Sequence, residues 1–205
     1  MNKRFRAVYG WMLYAVLTFT CAVAISPAGA QPRSAPDLHT VSDREDLIRF
    51  EMPQYWVSDS EEDGIDLFYH DVPASGTLRV AVTVFQAYDG SEPITSLHDF
   101  SPVFSENRYY ASAAGDSIQE SVDTVVEDHV PIVMTRFRTL HHPGPRMICI
   151  ALFTWTVEPA AASSVENAAS LKFIREAVHK AVFNGERLQR MMDEGTHESQ
   201  RRSRR

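Results

Sequence analysis

Alternation of apolar and polar side chains is the strongest signal along this chain. Ile48, Phe50 and Met52 alternate with Arg49 and Glu51, which predicts a half-buried strand that Pro53 stops. Trp56 follows closely and is expected to cap the core. After an acidic turn from Asp59 to Gly64, Ile65, Leu67 and Tyr69 alternate with Asp66 and His70, predicting a second strand. A turn at Ala74-Ser75-Gly76 leads into the most regular strand, with Leu78, Val80, Val82 and Val84 on one face and Arg79, Ala81 and Thr83 on the other.

Between Glu92 and Ser117 the period becomes helical. Leu97, Phe100, Phe104 and Tyr110 recur at helix spacing, and Pro93 suits a first turn. Pro102 disfavours helix at Ser101, so a kink or two short helices are expected, ended by Gly115-Asp116. Strand character returns over Val122 to Val126 and Ile132 to Leu140, and His141-His142-Pro143-Gly144-Pro145 reads as a hairpin tip. Met147 to Val157 is apolar at nearly every position, which belongs at the centre of a sheet covered on both faces. A final helix is signalled by a capping box, Ser163 with Glu166, and by a stripe of Leu171, Ile174, Val178 and Val182. Asn184-Gly185 fits its stop, and Leu188, Met191 and Met192 extend a short amphipathic piece.

The two ends differ from this middle. Lys3, Arg4 and Arg6, an apolar run from Val8 to Ile25, and Ala28-Gly29-Ala30 have the order of a secretory signal peptide. Cleavage is expected near Ala30, leaving a periplasmic or secreted chain that starts at Gln31. Residues 31–46 read as a polar flexible leader, 47–184 as a single α+β domain, and 185–205 as a basic disordered tail. Arg201, Arg202, Arg204 and Arg205 in that tail offer contact with an anionic surface.

The chain of 205 residues has a formal charge of −7, and loss of Lys3, Arg4 and Arg6 makes the exported part more acidic still. Such a domain repels a phosphate backbone, so nucleic acid is not expected as a partner. Cys21 leaves with the signal, so Cys149 stays alone and no internal disulfide is expected.

Ile48-Arg49-Phe50-Glu51-Met52-Pro53 with Trp56, the Val80 to Phe85 strand, the Val125 to Arg138 arm and the capped helix ending at Phe183 resemble the PsbP/Mog1-like family of small exported bacterial proteins. The chain departs from that pattern at Tyr55 and Asp128, where the family usually has Gly. The resemblance implies an antiparallel sheet covered by helices, an α/β/α sandwich, and a binding or assembly role.

Candidate chemistry is sparse. Asp59, Glu61, Asp63 and Gly64 stand at positions 1, 3, 5 and 6 of a calcium-loop register, but its twelfth position is His70, so a solvated turn is expected. His141 and His142 offer two nitrogen ligands to zinc, with His70 or His129 as a distant third, although an exposed tip is the simpler reading. Cys149 between Ile148 and Ile150 is expected as a small buried hydrophobe. No Gly-x-Ser-x-Gly elbow or phosphate loop occurs, and no cofactor is expected. Tyr109 and Tyr110 are adjacent and cannot share one helix face, so one of them is expected at the surface as a partner contact. The leading expectation is an exported binding or assembly protein whose partner is another envelope protein. The alternatives are a metal-assisted hydrolase using His141 and His142, and a carrier of a small apolar ligand held between sheet and helix.

Overall fold

Alternating side chains on a strand serve two faces at once, and the chain uses this to build two antiparallel sheets. The computed structural model describes residues 36–61, 64–86, 97 and 107–203, with side chains described as far as residue 194. All of these lie in the compact unit Pro36–Arg205. Its strands are β1 (Leu38–Ser42), β2 (Ile48–Pro53), β3 (Val57–Ser60), β4 (Asp66–Tyr69), β5 (Thr77–Gln86), β6 (Asn107–Ala111), β7 (Ser117–Glu127), β8 (Val130–Gly144), β9 (Met147–Val157) and β10 (Val182–Phe183). Its helices are α1 (Pro159–Ala162), α2 (Val165–Lys180) and α3 (Gly185–Ser203). The larger sheet runs β3-β4-β5-β9-β8-β7-β6 and the smaller β1-β2-β10, giving a single α+β domain.

β9 lies in the middle of the seven strands, as its two-sided apolarity requires, and every residue of it except Leu152 is buried. Cys149, Ala151, Phe153 and Trp155 face inward with Leu78 and Val80 of β5 and Phe137 of β8. The small sheet covers this inner face. Phe50 of β2 meets Phe68 (centroids 5.5 Å, planes 82°) and Phe153 (5.3 Å, 83°) edge to face, the geometry the ring quadrupoles favour. Ile174 and Val178 of α2 and Leu188 of α3 complete the same core, each fully buried. The outer face carries a second cluster of Leu97, Leu140, Ile148 and Ile150. Both α2 and α3 thus serve the inner core. The helical cover expected over residues 92–117 falls outside the described residues, apart from Leu97 and the chain from residue 107 onward.

That last stretch departs from the expected helix: Asn107–Ala111, with Tyr109 and Tyr110, is strand β6, paired to β7. Helical spacing counted Tyr110 with Leu97, whereas Tyr110 pairs with Ile118 across the β6–β7 ladder. Chain within the expected leader, 31–46, also pairs, as β1 is hydrogen-bonded along β2. β1 and β3 are almost wholly exposed and are held by backbone bonds at sheet edges, which leave no apolar period in the sequence. In β4 the buried residues are Asp66 and Phe68, the opposite face from the one expected, because register sets Phe68 against Leu78 of β5.

The last helix begins one residue later than its signal. Ser164 caps α2, accepting from the Asn167 N–H (3.1 Å), and Glu166 turns away to His70. α2 ends at Lys180, and Asn184 caps the next helix instead, its Oδ1 accepting from the Arg187 N–H at 3.2 Å. The segment 185–205, expected as a disordered basic tail, is helical from Gly185 to Ser203. Burial of Leu188 and partial burial of Met191 anchor its first turns.

Asn167 joins three elements at one end of the domain. Its Oδ1 accepts from the Gly76 N–H (3.0 Å), and its Nδ2 donates to the carbonyls of Ala74 (2.9 Å) and Ala161 (3.0 Å). With only 3% of its surface exposed, water cannot replace these bonds. Asn167→Ala is therefore expected to lower stability by about 2–4 kcal/mol, read as a shift of the urea midpoint at unchanged slope. A loss below about 0.5 kcal/mol would show that the turn holds without it.

Candidate functional site

The metal expectations meet the geometry first. Asp59 lies in β3, exposed, with its carboxylate accepting from the next backbone N–H, that of Ser60 (2.8 Å). Glu61 pairs with Arg79 (3.6 Å), and Asp63 lies outside the described residues. The turn that follows is closed by its own backbone, with Gly64 at φ 87°. His141 and His142 are not a hairpin tip: β8 continues through both to Gly144, with a register irregularity between His141 and Gly144. Alternation then separates them, leaving His141 half-buried and His142 exposed. Among the described residues, no three His, Cys, Asp or Glu side chains are grouped so as to hold a metal ion.

His141 is instead part of a structural clasp. Its Nδ1 lies 2.6 Å from Asp116 Oδ1, and its ring stacks on Phe183 of β10 (4.8 Å, 12°). Its cross-strand neighbour is Cys149. A thiol, an imidazole and a carboxylate in this order suggest an activated nucleophile, yet Cys149 is fully buried and burial pushes its thiol up to about 12. Asp43 and Asp116 add to that shift, so the local field opposes the thiolate that catalysis would need. His70 is likewise engaged, with Glu166 at 2.9 Å and the Tyr55 ring edge-on at 4.7 Å.

The tyrosines divide between faces, as neighbours on a strand must. Tyr109 is 42% exposed on the outer face, and its hydroxyl accepts from Gln119 Nε2 (3.1 Å). Gln119 Oε1 in turn accepts from Arg138 (2.8 Å), whose guanidinium is pushed down by burial and by Arg136 beside it. Tyr110 points into the core side, where burial and the Glu120 carboxylate push its phenol up to about 12. Glu120 is 6% exposed and accepts two bonds from Arg175 of α2, at 2.8 and 2.9 Å. Arg201 and Arg202 fall in α3 beyond the described side chains, and Arg204 and Arg205 lie outside the described residues.

A cleft of about 260 Å3 opens between the β1–β2 turn and the β3–β4 turn, lined by Asp43, Arg44, Glu45, Gly64, Asp66, Val80 and Val82. Its polarity argues against an apolar ligand, and the space between sheet and helix is filled by Phe50, Phe153, Ile174 and Val178. Asp43 itself organises the turn, accepting from the N–H groups of Leu47 (2.6 Å), Ile48 (2.8 Å) and Glu45 (3.3 Å). Burial raises its carboxyl above the usual range against those bonds, and Asp66 adds in the same direction.

The Val125 to Arg138 arm marked in the sequence is the β7–β8 hairpin, and what its sequence did not show is how much of it stays exposed. β9 ends opposite Val133, so the pairs Val125↔Ile132, Val126↔Pro131 and Glu127↔Val130 run beyond it, a two-stranded ribbon among the described residues. Val126 is 69% and Val130 49% exposed. The hairpin itself had a sequence signal: valines on both strands flank a two-residue turn, Asp128-His129.

No family model and no curated protein matches the chain. Solved structures similar to it include a protein from Bacteroides thetaiotaomicron (14% identity, TM-score 0.48, covering 74% of this chain). The chain spans about half of that protein, 49% of its length. A Pseudomonas aeruginosa protein of unknown function is similar at 14% identity and TM-score 0.39, over 66% of this chain and 93% of that one. A cyanobacterial PsbP from Synechocystis, of the group the sequence resembles, is similar at 11% identity and TM-score 0.37, over 77% of this chain and 99% of that one.

Two outcomes follow from these side chains. Cys149 is expected to resist iodoacetamide at pH 8.5 in the folded protein and to react fully in urea; rapid labelling of the native state would contradict its burial. Asp43 binds its proton more tightly folded than unfolded, so its contribution is full below the unfolded value and is lost as pH rises through the raised folded one. Asp43→Asn should therefore be destabilised by a turn bond at acid pH, with the gap to wild type narrowing as pH climbs. A gap that widens with pH would reverse the sign.

Proposed function

We propose that the protein is an exported binding or assembly component of the cell envelope, with another envelope protein as its partner. The observation that carries this reading is the contrast between interior and surface. Three reactive side chains are committed to structure: Cys149 as a buried thiol, His141 clasped by Asp116 and Phe183, His70 by Glu166. Large apolar side chains stand in water instead, among them Val126, Val165, Tyr55 and Val130. Exposed apolar groups on an acidic domain are what a partner would cover. The polar cleft and the separated histidines give less support to the ligand-carrier and hydrolase readings.

Envelope fractions of the source cell should contain a mature chain whose N-terminus is Gln31, and chemical cross-linking there should join it to one discrete partner. An uncleaved cytoplasmic chain without a discrete adduct would overturn the proposal.

A further inference from the structure

Among the described residues, the β7–β8 arm combines a strand edge that has no second partner with exposed apolar side chains. Among these residues, β6 pairs with β7 from Ser117 to Ser121. From Val122 to Glu127, β7 has β8 alone as a strand partner among the described residues. The Thr124 N–H is not spent on that ladder: it donates to the Asp123 carboxylate at 2.9 Å, on the side away from β8. Proteins commonly blunt such edges with Lys or Pro. Val122-Asp123-Thr124-Val125-Val126-Glu127 contains neither.

The ribbon is also held in shape before anything binds. Asp128 (φ 47°) and His129 (φ 69°) are both left-handed, the pattern of the two-residue turn whose twist matches a hairpin. A preformed strand loses little freedom when another is added to it.

Charge selects what that addition would be. Val122 to Pro131 carries Asp123, Glu127 and Asp128 and no Lys or Arg. Asp123 is shared with Arg136 at 3.9 Å, while Glu127 and Asp128 make no ion pair among the described residues. A second copy would bring the same carboxylates against this edge, an unfavourable meeting of like charges. A basic segment would meet complementary ones.

We propose that the edge of β7 from Val122 to Glu127 is a docking strand, which takes an extended segment of a partner protein with alternating apolar and basic residues. The incoming carbonyl replaces Asp123 on the Thr124 N–H, its apolar residues cover Val122 and Val126, and its cations face Glu127 and Asp128. This is strand addition, where backbone bonds supply affinity and alternate side chains supply choice. It rests on the partner-binding reading above and locates its surface.

The test uses the full chain with two ten-residue probes, one alternating valine and lysine, the other valine and glutamate. The lysine probe should bind saturably and slow amide exchange at Val122, Thr124 and Val126, and the glutamate probe should not bind. Thr124→Pro, which removes the outward N–H, and Val126→Lys, at an exposed position, should each weaken binding about tenfold or more. No saturable binding, protection elsewhere, equal affinity in Val126→Lys, or self-association through this edge overturns the proposal. Envelope cross-linking separates the two levels. If Thr124→Pro forms the same adduct as wild type, the docking strand is wrong and partner binding stands. If wild type forms none, the underlying reading fails and takes this one with it.

Discussion

Strand β9 sets the terms for everything around it, because both its faces are apolar and both its edges carry backbone groups that need partners. β5 and β8 satisfy the edges along its length. Covering the inner face takes a second sheet, brought down by Phe50 onto Phe153, and the apolar stripe of α2. Packing there tolerates no additional atom: a Cβ at Gly76 would overlap the Trp155 ring. Trp155 stacks on Trp56, which in turn meets Phe173, so the β4–β5 turn, the entry to β3 and α2 are fixed against one another.

Around this core, ionisable groups join elements. Glu120 with Arg175 ties β7 to α2, and Asp116 with His141 ties the turn before β7 to the far end of β8. Asp43 gathers three N–H groups to close the β1–β2 turn. Breaking any of these leaves a partly buried charge or donor without its partner, a cost well above that of losing a surface pair. Cys149, His141 and His70 are thus held in place by burial or by structural partners. In the β7–β8 arm β8 outruns β9, and Val126 and Val130 stay exposed.

The elements legible in sequence were those whose burial follows a local period. β2, β5 and β9 show their strands directly, and the stripe Ile174 and Val178 shows the buried side of α2. Edge strands were not legible, since β1 and β3 are held by backbone bonds that any sequence can make. β4 was found, but its face was reversed: Leu67 and Tyr69 look as apolar as Phe68, and only the register with β5 decides which goes in. The same limit hid the site residues. His141 and Asp116 are 25 positions apart, and Asn167 stands 91 from Gly76, so nothing local marks either contact.

By itself, then, the sequence determined which stretches must leave water, the central place of Met147 to Val157, and the burial of Cys149. Only the tertiary structure decided that His141 and His142 part company, that Tyr110 turns to Glu120, and that Val122 and Val126 stay exposed. The reason is that periodicity records a side chain's need for cover. Which strand edge or polar group supplies that cover depends on where distant segments come to rest.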